Sequence, residues 1–524
     1  MSSDTIIIYI GVGLYFAAML TVGYLVRNKV KTSEGYLVAG RSFSLMMNAP
    51  ALTACFLGGS LVLSLPGLVY GMGVWNDSTM WGGAISLGGI LCLLLAGFFY
   101  MPKLWRLKLL SLGDFFYLRF GKTTGFTVSV ITVLTFVFWV AVQILVFAKI
   151  CTVFLGWPLA ISAVIGIAVI TVYTTMGGLW AVMATDAIQV ALVSIGVLVL
   201  FPVVLGMAGG WEAFIANIPA DRAQVFPALD AGGEVWLSWL ACWAIIGIGG
   251  IVSPDLMQRA FAAKTPAVAR NSAIIAAIIK TALSLVMIGI ALIGLNLVQR
   301  GVIPEASLQG DMELIVPVMV KDFLPLPIMI IFIGACLSAV MGAASSALLA
   351  MSGMMSKNIV KDFIKPDISD KQLLLTSKVC VVIFAAMSLW AALNLKYVFL
   401  LLAFGFDLIM SSLLACMTLG MFWKKANAWG AIAGIAVGFF VRVIPAGIAN
   451  GFTLVGICSS APGWYIYTLL GPVLAFVVTW GVSLLTLKNC PSNEYGFHFD
   501  ENDTPVLKNT PEATVENLEG AENA

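Results

Sequence analysis

Charge and histidine are the scarcest resources of this chain. Only 10% of its 524 residues are Asp, Glu, Lys or Arg, against roughly 25% in soluble domains. That leaves too few charged groups to cover a water-facing surface of this size. The single histidine, His498, lies close to the C-terminus. Histidine-based metal sites and Ser–His catalysis are thereby removed from the apolar body of the chain. The nine cysteines show no CxxC spacing, and seven of them (Cys55, Cys92, Cys151, Cys242, Cys336, Cys380 and Cys416) fall inside apolar stretches. They read as small buried hydrophobes rather than as a disulfide framework. A net charge of +2 offers no electrostatic basis for nucleic-acid binding. Apolar side chains, by contrast, make up 60% of the chain and the mean hydropathy is +1.01. This is an all-α integral membrane protein whose main surroundings are the lipid bilayer, and no obligatory protein partner is implied.

A hydrocarbon core about 30 Å thick takes ~20 helical residues to cross. Apolar stretches of that length, cut at charges and loops, fall at 5–26, 46–71, 78–101, 123–154, 158–176, 179–208, 235–253, 271–299, 325–355, 375–393, 397–422, 427–448 and 463–487, which makes 13 transmembrane helices. They are too continuous for barrel strands, and in lipid the backbone has no third choice. The first lacks the small-residue cleavage site of a signal peptide and reads as a helix. Placing the N-terminus outside puts 21 of the 28 Lys and Arg residues on the inner side, 4 on the outer side and 3 within spans. That asymmetry is what the positive-inside rule asks for. The expectation is a multi-pass protein of the cell (inner) membrane, N-terminus outside and C-terminus cytoplasmic. Residues 489–524 carry eight acids against the single Lys508 and read as a disordered cytoplasmic tail.

Two spans carry glycine interruptions. The second holds Phe56-Leu57-Gly58-Gly59-Ser60, and the seventh holds Gly247-Ile248-Gly249-Gly250 followed by Pro254. Glycine weakens a helix and lets it unwind. Paired interruptions in two halves of a chain point to the central site of a transporter, although close glycine packing between helices gives the same sequence pattern.

Tyr173-Thr174-Thr175-Met176-Gly177-Gly178-Leu179-Trp180-Ala181-Val182, continuing through Thr185-Asp186 and Gln189, resembles the signature of the sodium/solute symporter family. Asp255-Leu256-Met257-Gln258-Arg259, Leu112-Gly113-Asp114-Phe115 and Gly420-Met421-Phe422-Trp423-Lys424 resemble it too, in the family's order. The resemblance implies a leucine-transporter-type core of five helices plus an inverted five. Residues 1–45 then form the first helix and its loop, 46–208 the first repeat, 209–422 the second, 423–488 two C-terminal helices, and 489–524 the tail. Cation-driven alternating access is implied as well, rather than an enzyme activity.

Family members hold one sodium between carbonyls of the first core helix and hydroxyls of the eighth. The matching positions are Ala54, Leu57 and Ala339, but Gly342 and Ala343 stand where hydroxyls are usual. A one-turn shift would bring Ser345 and Ser346 into those roles instead. Some members hold a further cation nearer the cytoplasm, at positions matching Asp186, Ser345 and Ser346. Asp186 lies inside the sixth span and needs a partner there. It is a ligand for Na+, a proton carrier, a helix cap or the partner of Arg259. Asp407, in the tenth core helix, is a ligand or a gating carboxylate, and Lys149 pairs or snorkels.

A small solute belongs between the broken helices, against Phe56, Gly58, Gly59 and Ser60. Freed N–H groups and half-helix dipoles there favour a carboxylate. Gln143 shares a helical face with Trp139, and Trp243 precedes the second break. Lys280 stands sixteen residues after Lys264, the spacing at which sugar-carrying relatives place a solute-contacting lysine. The reading is a symporter of a small organic solute, with no cofactor and with Na+ (or H+) as coupling ion. A proton-coupled or cation-independent carrier of the same fold is the alternative raised by Gly342 and Ala343, and a membrane sensor built on a transporter body is the more distant one.

Overall fold

A computed structural model describes residues 3–75, 83–394, 398–453, 462–490, 496–499 and 505–508. Its main helices are α1 (Ser3–Val26), α2 (Leu45–Gly59), α3 (Leu65–Met72), α4 (Ala84–Leu95), α5 (Lys122–Leu155), α6 (Leu159–Met207) and α7 (Gly233–Gly247). The second part of the chain forms α8 (Pro254–Ala262), α9 (Pro266–Gln299), α10 (Leu326–Gly353), α11 (Asp370–Asn394), α12 (Val398–Phe422), α13 (Ala428–Asn450) and α14 (Trp464–Leu485).

Among the described residues, 12 helical stretches are long and apolar enough to cross a bilayer, one fewer than the 13 expected. The difference lies at α6, a single run of 49 residues covering both expected segments 158–176 and 179–208. A straight helix of that length would reach roughly 74 Å at ~1.5 Å per residue, more than twice the hydrocarbon thickness of about 30 Å. It does not stay straight. At Gly178 the backbone leaves the helical region, with φ 50° and ψ −141°. A Cβ placed there would lie 2.6 Å from the Tyr36 carbonyl oxygen, so the turn closes directly on another backbone.

The expected interruptions are both present. In α2 the backbone is non-helical at Gly58 (φ −16°, ψ −164°), and a π turn over Ser60–Ser64 leads into α3. The chain of α7 ends at Gly247, passes through a 3-10 turn (Gly249–Val252) and an extended Ser253, and restarts at Pro254. Proline suits a first helical position because its missing N–H would have no partner there anyway. Burial separates centre from rim. The Leu45–Met72 and Ala403–Phe422 windows are each 89% buried, against 22% for Ile6–Lys29 and 28% for Trp464–Leu485. The broken second span is therefore interior, while α1 and α14 present Ile6, Ile10, Leu14, Val473 and Val477 outward. Inside, α10 packs along α6 and against α5, and α9 crosses α2.

The stretch expected to be a disordered tail holds two described segments, Gly496–Phe499 and Pro505–Lys508, which pair as antiparallel strands. Phe497 is buried with its ring edge-on to Phe115 at 5.7 Å. An aromatic side chain with a docking place on the helical body supplies the burial that acidic composition alone does not. The remainder of 489–524, apart from 489–490, lies outside the described residues, as does the start of the expected third span.

Gly178→Ala should cost about 1–3 kcal/mol, the usual range for a side chain held in a sparsely populated backbone region, before any clash with Tyr36. Thermal unfolding in detergent measures it. Gly206→Ala is the control, since a Cβ there meets nothing within 4 Å. Equal unfolding temperatures for the two variants would show that the turn at Gly178 carries no strain.

Candidate functional site

The break in α2 frees backbone groups that lipid cannot satisfy, and a side chain from α5 takes one of them. The Gly59 N–H donates to Gln143 Oε1 at 2.7 Å. Gly58 has no room for a side chain, because a Cβ would lie 2.8 Å from that oxygen and 3.0 Å from the Ala343 Cβ. Gly58, Gly59 and Gln143 thus build the wall behind the break. They are the scaffold of the site rather than the lining of its cavity.

A cavity opens in front of that wall, between the two interruptions. Its empty space, open mouth included, is ≈ 740 Å³. Phe56, Ser60 and Lys280 line it as expected, joined by Trp139, Phe406 and Ile245, by Ser86 and Ser284, and by Ser253 and Asp255. Trp139 and Phe406 meet edge to face at 5.3 Å and form an aromatic corner. Lys280 is 3% exposed, and its ammonium donates to the Ser86 carbonyl. Four residues on, and so on the same helical face, the buried Ser284 hydroxyl has no partner among the described residues, and neither does the Trp139 indole N–H. Three donor groups therefore face a mostly apolar chamber. One oxygen of the cavity's acid is engaged, since Asp255 Oδ1 accepts from Leu256 N at 2.9 Å and from the Ser253 hydroxyl.

The cation positions divide differently. Ala54, Leu57, Ala339, Gly342 and Ala343 are all buried where α2 and α10 adjoin. Asp186 and Ser346 do come together, but through a third residue. Arg259 Nη2 donates to Asp186 Oδ2 at 3.1 Å and to the Ser346 hydroxyl. Arg259 and Asp186 are both fully buried. The Ser345 and Ser346 hydroxyls donate to the Gly342 carbonyl at 3.1 and 2.7 Å. Of the roles open to Asp186 in the sequence, pairing with Arg259 is the one the structure displays.

Three other residues go elsewhere. Asp407 pairs with Arg442 at 2.5 Å and accepts from Thr468 at 2.7 Å, tying α12 to α13 and α14. Lys149 pairs with Asp311 at 2.7 Å and Glu313 at 2.5 Å. Trp243 stacks towards Trp239 at 5.5 Å and stands apart from the cavity lining. Sequence reasoning passed over Asp255 and Ser284. A signal existed for both: Asp255 directly follows the Pro254 restart, and Ser284 is one turn beyond Lys280.

A model of the Sodium:solute symporter family matches residues 36–438. The high affinity choline transporter 1 of Homo sapiens is 25% identical over 445 residues, covering 83% of this chain and 76% of the relative. An osmoregulated proline transporter of Bacillus subtilis is 24% identical over 485 residues, 90% of this chain and 94% of the relative. The sodium/pantothenate symporter of Haemophilus influenzae is 24% identical over 436 residues, 79% and 84%. Among solved structures, a substrate-bound, outward-open Na+-coupled sialic acid symporter aligns with a TM-score of 0.79 at 21% identity, covering 91% of this chain and 97% of that one. A nucleobase-cation-symport-1 family transporter aligns with a TM-score of 0.56 at 16% identity, 90% and 97%. These likenesses show the leucine-transporter-type fold.

A buried ion pair that loses one partner typically costs about 3–5 kcal/mol, whereas replacing both costs far less. Arg259→Met should therefore lower the unfolding temperature sharply, and Asp186→Asn with Arg259→Met should recover most of the loss. Thermal unfolding of the three proteins decides, and a double variant as unstable as Arg259→Met would mean the two side chains are not coupled.

Proposed function

The chain belongs to the sodium:solute symporter family, and from that premise we propose that it carries a small carboxylate-bearing organic solute across the cell membrane together with Na+. The family and its named relatives are transporters, not enzymes. The observation that carries the solute reading is the donor bias of the cavity: Lys280, Ser284 and Trp139 offer N–H and O–H groups to a chamber in which Asp255 has one of its two oxygens already bonded. A carboxylate is the small organic group that accepts several such bonds at once. Phe56, Trp139 and Phe406 supply an apolar surface for the rest of the solute. The choline carried by one set of relatives fits this chamber less well, since a quaternary ammonium would meet the Lys280 charge. Among the named relatives, the proline and pantothenate carriers fit the cavity best, because both solutes contain a carboxylate. The end of the bundle rich in Lys and Arg faces the cytoplasm in this reading.

Purified protein in proteoliposomes tests the proposal with labelled proline, pantothenate and choline, each under an inward Na+ gradient and again with K+ replacing Na+. At least one carboxylate solute should accumulate with Na+ and choline should not. Lys280→Met should raise the half-saturating solute concentration between about tenfold and a hundredfold, the value of a charge-assisted hydrogen bond worth ~1.5–3 kcal/mol. Accumulation of choline alone, indifferent to Lys280→Met, would overturn the carboxylate reading.

A further inference from the structure

The missing hydroxyl at Gly342 is filled by something else. A Cβ placed there would lie 2.6 Å from Gln189 Oε1, 3.1 Å from Asp186 Oδ1 and 3.7 Å from the Ala54 Cβ. Two oxygens from α6 therefore converge on a point of α10 that lacks a side chain. Asp186 and Gln189 are one helical turn apart and share a face. Both are buried, at 0% and 1% exposure, and neither oxygen has a hydrogen-bond donor among the described residues. Burying one acceptor without a donor is costly, and two such oxygens converging on one place repel as well. Arg259 does not relieve them, because its Nη2 is spent on the other Asp186 oxygen and on Ser346. The Gln189 amide nitrogen faces the opposite way, towards the Tyr15 hydroxyl at 3.4 Å and the Met19 sulfur at 3.6 Å.

We propose that the coupling cation binds between Asp186 Oδ1 and Gln189 Oε1 beside Gly342, so that a glutamine amide replaces the hydroxyl oxygens absent from α10. Carboxylate and amide carbonyl oxygens are hard donors, the type that suits a hard cation. Arg259 fills the neighbouring place between Asp186 Oδ2 and Ser346, which leaves one cation position at this carboxylate rather than two. The inference rests on the Na+-symport reading above and assigns its ion to a residue outside both cation sets expected from the sequence.

Sodium alone is the probe. The full chain, purified without solute, is titrated with NaCl against KCl at constant ionic strength while its unfolding temperature is followed, since a ligand of the folded state stabilises by mass action. Wild type should be stabilised saturably by Na+. Gln189→Leu should raise the half-saturating Na+ at least tenfold. Gly342→Ala should do the same by placing a methyl group in the space, and Gln189→Glu, which keeps an oxygen there, should retain the Na+ response. If Gln189 instead turns its amide to donate to Asp186, Gln189→Leu will unfold earlier in KCl while its half-saturating Na+ stays at the wild-type value, and the site falls. It also falls if wild type shows no Na+ response. Solute uptake on the same preparations separates the two ideas. Na+-dependent uptake with an unmoved Na+ titration sinks this site and leaves symport standing. Na+ binding that depends on Gln189, without uptake of any carboxylate solute, sinks the solute reading and leaves the site.

Discussion

A backbone N–H inside a bilayer has no water to fall back on, and the whole site depends on how that demand is met. Interrupting a membrane helix is tolerated only where protein supplies the missing partner. Here Gln143 does so for Gly59, from a helix otherwise packed as core. The second break satisfies itself locally, with Ile251 N–H on the Ile248 carbonyl and Ser253 N–H on the Gly250 carbonyl, both at 3.1 Å. With those bonds made, the chain leaves helical geometry in two places and a chamber forms between them. Without them the same glycines would be weak points.

The charges obey a similar rule. Asp186, Asp255, Arg259 and Lys280 are all at most 3% exposed, and their formal charges cancel. On the proposed reading, one monovalent cation and one carboxylate solute arriving together keep that balance. Either alone would leave an uncompensated charge in a low-dielectric interior, which is expensive. The short helix α8 links the two ends of this arrangement. Its first turn places Asp255 at the solute cavity, and its next turn places Arg259 on Asp186. Arg259 also donates to the Asp255 carbonyl at 3.0 Å, so α8 joins the cavity wall and the Asp186 ion pair in one piece.

Much of this was legible before any coordinates. The spans could be read because bilayer thickness sets their length. The breaks could be read because glycine announces them. Lys280 stands out through the resemblance, at the spacing where sugar-carrying relatives place a lysine, and it lines the cavity. Other residues have neighbours that the sequence does not announce. Gly58 and Gly59 sit at the break but outside the cavity lining, where a side chain would meet Gln143 and Ala343 at Gly58 and Val146 at Gly59. Asp407 has the look of a ligand as a lone acid in an apolar span, until Arg442 from a helix outside the repeats is found beside it. The turn at Gly178 fell between two expected spans, yet the helix on either side is continuous enough to count as one.

By itself the sequence determined what is local: which stretches belong in lipid, where the helix fails, which motifs appear and in what order. Hydropathy and backbone propensity act over a few neighbouring residues, so a linear reading recovers them. Tertiary structure alone decided which polar atoms meet. Gly59 and Gln143 are 84 residues apart, Asp186 and Arg259 are 73 apart, and Lys280 reaches a carbonyl 194 residues away. Those pairings are set by helix rotation and close packing, where a single absent Cβ at Gly342 determines what can stand beside Asp186, and no linear spacing encodes that.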